Sequence, residues 1–139
     1  MEVLLVHPGG PFFARKDSGS WTVPKGLASE HESDLEAARR EFGEETSLDV
    51  AAGRFIPLGE IRQKGGKVVA AFAFEGDCDP ASLCSNSFEL EWPPRSGEMR
   101  LFPEIDRAEW FPIDSARLKI IAAQRPFLDR MLQALEGTR

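Results

Sequence analysis

Cysteine and histidine are scarce in this sequence, which contains two of each among its 139 residues. Cys78 and Cys84 match no CxxC zinc or redox pattern, and two cysteines do not make a disulfide framework. We therefore expect both to be small packing residues in a reducing compartment. Because only His7 and His31 are present, there is no histidine-rich metal pattern. Both histidines are predicted to be packing or loop residues.

Long apolar runs are also missing. No run approaches the roughly 20 residues that a membrane-spanning helix needs. Met1 and Glu2 lead directly into a short apolar stretch without a basic region before it, so no signal peptide is predicted. These absences predict a soluble cytoplasmic protein with no membrane partner.

Positive charge is outnumbered, because 17 Lys and Arg residues stand against 23 Asp and Glu residues and give a net charge of −6. Such a balance argues against nucleic-acid binding as the main task. It does not exclude a phosphate-bearing substrate, since metal ions can supply positive charge. A composition of 42% hydrophobic and 29% charged residues excludes a disordered tail, and the length predicts one domain over residues 1–139. The sequence leaves open whether two copies form a homodimer.

One helix has a clear start signal. Residues 33–36 read Ser-Asp-Leu-Glu, which fits a capping box with Ser33 as the N-cap residue. The helix is predicted to run to about Thr46. Leu35, Ala38 and Phe42 recur at helical spacing and are expected to form its core-facing stripe.

Short apolar segments on both sides of this helix predict strands, and an amphipathic segment predicts a C-terminal helix. Residues 95–103 are expected to be irregular. This order of elements indicates an α/β sandwich with a mixed sheet. The predicted strands are 3–6, 21–23, 54–61, 67–74, 88–92 and 108–111, and the predicted C-terminal helix is 122–135.

Three carboxylates occupy one face of the central helix. Glu41, Glu44 and Glu45 stand at positions i, i+3 and i+4, so their side chains are neighbours. A cluster of hard oxygen ligands suits Mg²⁺ or Mn²⁺. A solvated acidic helix face is the alternative, because surface helices are often rich in charge.

The wider spacing decides between these alternatives. The segment from Gly26 to Leu48 resembles the Nudix box. In this segment Gly26 is followed by five residues, Glu32, seven further residues and then Arg40-Glu-Phe-Gly-Glu-Glu-Thr-Ser-Leu48. Six specified polar or glycine positions match, and chance matching is on the order of one in ten million starts. One position departs from the pattern, because Ser47 stands where the family has glycine.

The resemblance implies an α/β/α Nudix sandwich and hydrolysis of a nucleoside diphosphate linked to another group. Residues 21–26, Trp-Thr-Val-Pro-Lys-Gly, resemble the corresponding segment of members that act on dinucleoside polyphosphates or diphosphoinositol phosphates. The predicted activity is therefore a pyrophosphohydrolase acting on a dinucleoside polyphosphate or a nucleoside triphosphate, with a nucleotide sugar ranked third. The alternatives are a catalytically weak nucleotide-binding module and a structural partner protein.

The same resemblance implies a Mg²⁺ (or Mn²⁺) site. Glu41, Glu44 and Glu45 are its predicted carboxylate ligands, and one of them is predicted to act as the base. The backbone carbonyl of Gly26 is an additional ligand candidate. Arg40 is expected to orient the carboxylates through charge-assisted hydrogen bonds.

Further roles fall outside the helix. Lys25 is predicted to contact phosphate, and Glu32 to brace the loop before the helix. Trp21 is assigned to substrate binding by stacking on a base, with packing under the loop as the alternative. Glu104, six residues before Trp110, resembles an extra metal-binding acid of dinucleoside tetraphosphate hydrolases, and Glu98 is its competitor.

Overall fold

A computed structural model describes residues 1–24, 33–46, 55–63, 65–76, 79–82 and 85–137 of the chain. Cys78, Cys84 and His31, which are predicted to be packing or loop residues, lie outside these ranges. The strands and helices are β1 (Glu2–Pro8), α1 (Asp34–Thr46), β2 (Phe55–Arg62), β3 (Val68–Phe74), β4 (Ser87–Glu91), β5 (Met99–Pro103), β6 (Ile105–Pro112), α2 (Ile113–Lys119) and α3 (Arg125–Gly137), with 3₁₀ turns at Pro80–Ser82 and Ala122–Gln124.

The described strands form three antiparallel pairs, β1–β6, β2–β3 and β4–β5. Two single bridges extend the first pair: Val6 joins Thr22 in antiparallel orientation, and Trp21 joins Ile120 in parallel orientation. Parallel and antiparallel pairing therefore meet around residues 21–22, as expected for a mixed sheet. The predicted strand at 21–23 consists of these two bridges.

α1 follows its local sequence signals. The Ser33 hydroxyl accepts the backbone N–H of Glu36 at 3.2 Å and donates to the Glu36 carboxylate at 3.0 Å. The helix begins at Asp34 and ends at Thr46, which confirms the predicted extent. Phe42 is buried as predicted, and Ala37 is a further buried residue that the predicted stripe omitted.

Elsewhere, pairing between distant segments changed the predicted boundaries. β5 was predicted to be irregular, but all of its residues pair with β4, from Ser87↔Pro103 to Glu91↔Met99. β1 continues through His7 and Pro8 because both pair with β6. The C-terminal helix begins at Arg125, with Pro126 in its first turn, where the missing N–H costs no hydrogen bond.

α3 covers one face of two strand pairs. Its Leu128 packs with Leu5, Trp21 and Phe111 beside β1 and β6. The neighbouring Phe127 packs with a second cluster from β2 and β3. The opposite face of β3 contacts α1 through Phe74. The β2–β3 pair thus lies between α1 and α3, which confirms the α/β/α arrangement. No helix in the described part of the chain is long and apolar enough to cross a membrane.

Gln124 joins three parts of the fold at one buried point. Its side chain is fully buried; Oε1 accepts the N–H of Val23 at 3.0 Å, and Nε2 donates to Oε1 of Gln63 at 3.0 Å. The amide therefore holds the segment that leads towards Gly26 against the end of β2.

Replacing Gln124 by alanine is expected to lower the free energy of unfolding by about 1–3 kcal/mol, because the Val23 N–H and the Gln63 amide would lose their partner. Urea unfolding followed by circular dichroism measures this loss. Gln133→Ala, at an exposed position on α3, is the matched control and should cost less than about 0.5 kcal/mol. Equal losses for both variants would contradict the bridging role.

Candidate active site

Arg40 lies between two of the predicted carboxylates on α1. Its Nη1 atom donates to Oε1 of Glu41 at 2.9 Å and to Oε2 of Glu44 at 3.1 Å. The exposed fractions of the side chains are 37% for Arg40, 18% for Glu41 and 49% for Glu44. One guanidinium nitrogen thus bonds to two carboxylates, and the role of Arg40 in orienting them for a metal stays a prediction.

Aromatic packing sets which face of α1 carries these groups. The Phe42 ring meets the Phe74 ring edge to face, with centroids 5.6 Å apart, and Arg39 lies over the Phe55 ring at 5.5 Å. The Glu41 side chain is 18% exposed and is thus more buried than the Glu44 side chain at 49%. Glu44 lies further from the core.

The electrostatics of the helix end are unfavourable without a cation. Glu44 lies in the last turn of α1, which contains no basic residue, and Glu41 lies nearly one turn before it. The negative end of the helix dipole disfavours a carboxylate there by about 0.3–1 kcal/mol. Arg40, which pairs with both carboxylates, compensates part of this charge.

Several predicted site residues lie outside the described residues. These are Lys25, Gly26, Glu32 and Ser47, and also the side chain of Glu45. Within the described part, no group of three or more acidic, histidine or cysteine side chains is placed to hold a metal. Of the three predicted helix carboxylates, Glu41 and Glu44 lie together through Arg40, and the place of Glu45 remains a prediction.

Trp21 occupies the core instead of a surface. Its side chain is 1% exposed. The indole meets the His7 ring at 5.1 Å and the Phe111 ring at 4.9 Å, and its Nε1 donates to Oδ1 of Asp17 at 2.8 Å. Packing is therefore the alternative that the structure favours. The assignment of Trp21 to base stacking is corrected, because the indole has no face left for a substrate.

Glu104 and Glu98 differ in their surroundings. Glu98 lies in the β4–β5 turn and pairs with Arg100 at 3.1 Å. Glu104 lies between β5 and β6, where its backbone N–H bonds to Asn86 and its carbonyl accepts from Gly9. The carboxylate of Glu104 makes no hydrogen bond or ion pair with the described residues, and it lines a cavity.

This cavity has a volume of about 470 Å³, within the usual range for a small-molecule site. It lies on the Val6 face of the β1–β6 pair, which α3 does not cover. Reasoning from the sequence predicts a loop over residues 12–19 and assigns no site role to Phe13 or Lys16, which both line the cavity. The only local signal was an aromatic and a basic residue after the turn at Gly9 and Gly10. The lining residues include Val6, Phe13, Lys16, Thr22, Glu104 and Ile121.

Solved structures share this fold. An Ap4A hydrolase from C. elegans superposes with a TM-score of 0.65 at 20% identity, over 98% of this chain and 88% of that one. A mutT/nudix family protein from Listeria innocua gives a TM-score of 0.60 at 23% identity, over 99% and 82% of the two chains. A MutT protein from Methanosarcina mazei Go1 gives 0.59 at 22% identity, over 99% and 86%. At these identities the likeness concerns the fold alone.

Among curated protein sequences, none matches the chain significantly. The family model of the NUDIX domain, however, matches residues 1–131, which include α1 and all of the described strands. The match agrees with the spacing of Arg40, Glu41 and Glu44 that the structure brings together. This chain therefore belongs to the Nudix family of pyrophosphohydrolase enzymes.

Proposed function

We propose that the chain hydrolyses a pyrophosphate bond of a dinucleoside polyphosphate, with a nucleoside triphosphate as the second candidate substrate, and that it requires Mg²⁺ or Mn²⁺. The carrying observation is the hydrogen-bonded group of Arg40, Glu41 and Glu44 on α1. The positions of these three residues match the Nudix motif, and the group carries one more negative than positive charge, which favours binding of a cation.

The donor set fits a hard divalent cation. Carboxylate oxygens are the ligands that Mg²⁺ prefers, and the helix end provides negative charge without a basic neighbour in its last turn. Glu41, Glu44 and Glu45 would hold the ion, together with the backbone carbonyl of Gly26. When bound, a divalent ion neutralises pyrophosphate oxygens and makes water more acidic.

Side chains of α1 orient the carboxylates and accept the proton. Arg40 holds Oε1 of Glu41 and Oε2 of Glu44 in place, which leaves one further oxygen on each carboxylate. The free oxygen of whichever of the two carboxylates does not bind the ion can accept the proton of the attacking water. Phe42 packs against Phe74, and this contact sets which face of α1 carries the carboxylates.

Glu104 is the better candidate for an additional acidic ligand. Its carboxylate has no partner among the described residues, whereas Glu98 already pairs with Arg100. An unpaired carboxylate beside a cavity is free to bind a cation without first losing an ion pair. Glu104 and Thr22 line the same cavity, and Thr22 precedes Lys25 by three residues in the sequence.

The substrate proposal rests on two observations. Residues 21–26 resemble the corresponding segment of dinucleoside polyphosphate hydrolases, and a C. elegans Ap4A hydrolase shares the fold. Lys25, next to Gly26 in sequence, is proposed to contact a phosphate beyond the scissile bond. The small-molecule nucleotide is the only partner that the proposal requires.

A substrate panel tests the reaction. The purified chain is incubated with diadenosine tetraphosphate, a nucleoside triphosphate and a nucleotide sugar, each with Mg²⁺ and with EDTA. Product masses after reaction in ¹⁸O-labelled water identify the phosphorus that is attacked. We expect the highest kcat/KM for the dinucleoside tetraphosphate and no turnover in EDTA. Binding of all three compounds without turnover would overturn the proposal in favour of a binding module.

Mg²⁺ is expected to stabilise the folded chain even without substrate. A ligand that binds only the folded state at ten times its Kd adds about 1.4 kcal/mol to the free energy of unfolding. Urea unfolding with and without 10 mM Mg²⁺, at matched ionic strength, measures the gain. Glu41→Gln should abolish most of it. An equal gain in that variant would show that the ion binds elsewhere.

A further inference from the structure

The loop between β1 and Trp21 is fixed at two points by side chains from other elements. The imidazole of His7 is fully buried, and its Nε2 donates to the backbone carbonyl of Lys16 at 2.7 Å, while Nδ1 lies 2.7 Å from Oδ1 of Asp106. One residue further along, Asp17 accepts from the Trp21 indole and from Lys119. The backbone around Lys16 is therefore anchored on both sides.

The second anchor is maintained at neutral pH. The Lys119 ammonium, and then the Trp21 indole, hold the pKa of the Asp17 carboxyl below its ordinary value of 3.8. Because the folded-state pKa is depressed, this stabilisation is present above that value and is lost as pH falls through the folded pKa. At neutral pH Asp17 is therefore charged and keeps its contacts with Lys119 and Trp21.

The Lys16 side chain has no acidic partner. It makes no ion pair with the described residues, and its ammonium lies over the Phe13 ring, 5.3 Å from the centroid. Both side chains line the same cavity as Glu104. The chain has a net charge of −6, but the Lys16 ammonium provides a positive charge at the wall of this cavity.

The chemistry of the walls indicates what the cavity accepts. Apolar surface from Val6, Phe13 and Ile121 suits a planar ring, and the ammonium of Lys16 suits a phosphate oxygen. A nucleoside with attached phosphates combines both features. The unpaired Glu104 carboxylate on the same cavity would repel a phosphate unless a cation lay between them.

We propose that this cavity is a nucleotide subsite in which Lys16 contacts a phosphate and Phe13 packs against the nucleobase. The proposal rests on the proposed function, since it assigns the part of the substrate beyond the scissile pyrophosphate to the residue 9–19 loop. His7 and Asp17 act as positioning residues, because they hold the loop backbone and do not line the cavity.

Direct binding tests the subsite without turnover. ADP and inorganic tripolyphosphate, neither of which is a proposed substrate, are titrated calorimetrically into the chain in Mg²⁺, because a cation is needed between Glu104 and a phosphate. Lys16→Ala should raise Kd for both probes about tenfold, or about 1.4 kcal/mol. Phe13→Ala should raise Kd for ADP and leave tripolyphosphate within twofold. Since His7 binds the main-chain carbonyl of Lys16, truncation of the lysine side chain preserves the loop anchor.

Arg15→Ala is the matched control. Arg15 is the neighbouring cation on the same loop and does not line the cavity, so its removal lowers the net charge equally. Its Kd values should stay within twofold of the parent chain. Equal effects of Lys16→Ala and Arg15→Ala, or no ADP binding by the parent chain at millimolar concentration, would overturn the subsite. Hydrolysis of the substrate panel with unchanged KM in Lys16→Ala would overturn the subsite and leave the proposed function intact.

Discussion

Replacing Glu44 by glutamine is expected to lower kcat for the Mg²⁺-dependent reaction by at least about 100-fold, or about 2.7 kcal/mol of barrier. The amide cannot supply the negative charge or the proton acceptor that the proposed site needs. It can still accept a hydrogen bond from Nη1 of Arg40, which holds the present carboxylate at 3.1 Å. The change therefore removes charge while it keeps the shape of the side chain.

Stability should change little in the same variant. The Arg40–Glu44 pair is exposed, with side-chain fractions of 37% and 49%, and such pairs contribute about 0–1 kcal/mol. Removing a carboxylate near the negative end of α1 relieves about 0.3–1 kcal/mol of dipole repulsion. Because the two effects oppose each other, the free energy of unfolding should stay within about 1 kcal/mol. A loss of rate therefore reports chemistry, not unfolding.

Glu36→Gln is the matched control for this experiment. It makes the same chemical change on the same helix, at the capping-box position where glutamine is also favoured. Its carboxylate contacts the Ser33 hydroxyl and not Arg40. The control should retain kcat within about twofold. Normal turnover by Glu44→Gln, with Mg²⁺ still required, would remove Glu44 from the catalytic group.

The acidic group could be predicted from sequence because every signal for it is local. The capping box sets the start of α1, and helical spacing places Arg40 beside Glu41 and Glu44. The structure agrees with both expectations, from the bond at Ser33 to the two bonds of Arg40. No tertiary contact was needed to bring these three side chains together.

The cavity could not be predicted in the same way. Val6, Lys16, Glu104 and Ile121 come from four separate segments, which strand pairing and the hydrogen-bonded loop around Lys16 bring to one face. β5 was missed for a related reason, because its alternation is weak and its strand geometry comes from pairing with β4. Long-range pairing, not local propensity, decides both features.

The position of Trp21 also depends on long-range contacts that the local sequence does not show. Its place in the motif-like segment 21–26 suggested a role at the substrate, but its contacts come from β1, β6 and α3. Replacing Trp21 by alanine is expected to lower the free energy of unfolding by about 3–5 kcal/mol, since a fully buried large aromatic side chain leaves a cavity that neighbours fill only partly. This is the largest stability effect that we expect of any single substitution in the described core. Chemical denaturation measures it directly.

Trp21→Phe separates packing from substrate binding. Phenylalanine keeps an aromatic ring against Phe111 and His7 but lacks the N–H that Asp17 accepts at 2.8 Å. We expect a loss of about 1–2 kcal/mol in stability from the missing hydrogen bond and the smaller ring. KM for the dinucleoside tetraphosphate should remain within twofold, because the indole is 1% exposed and cannot meet a nucleobase without leaving the core. A tenfold rise in KM with unchanged stability would instead place Trp21 against the substrate and refute its role as a core residue.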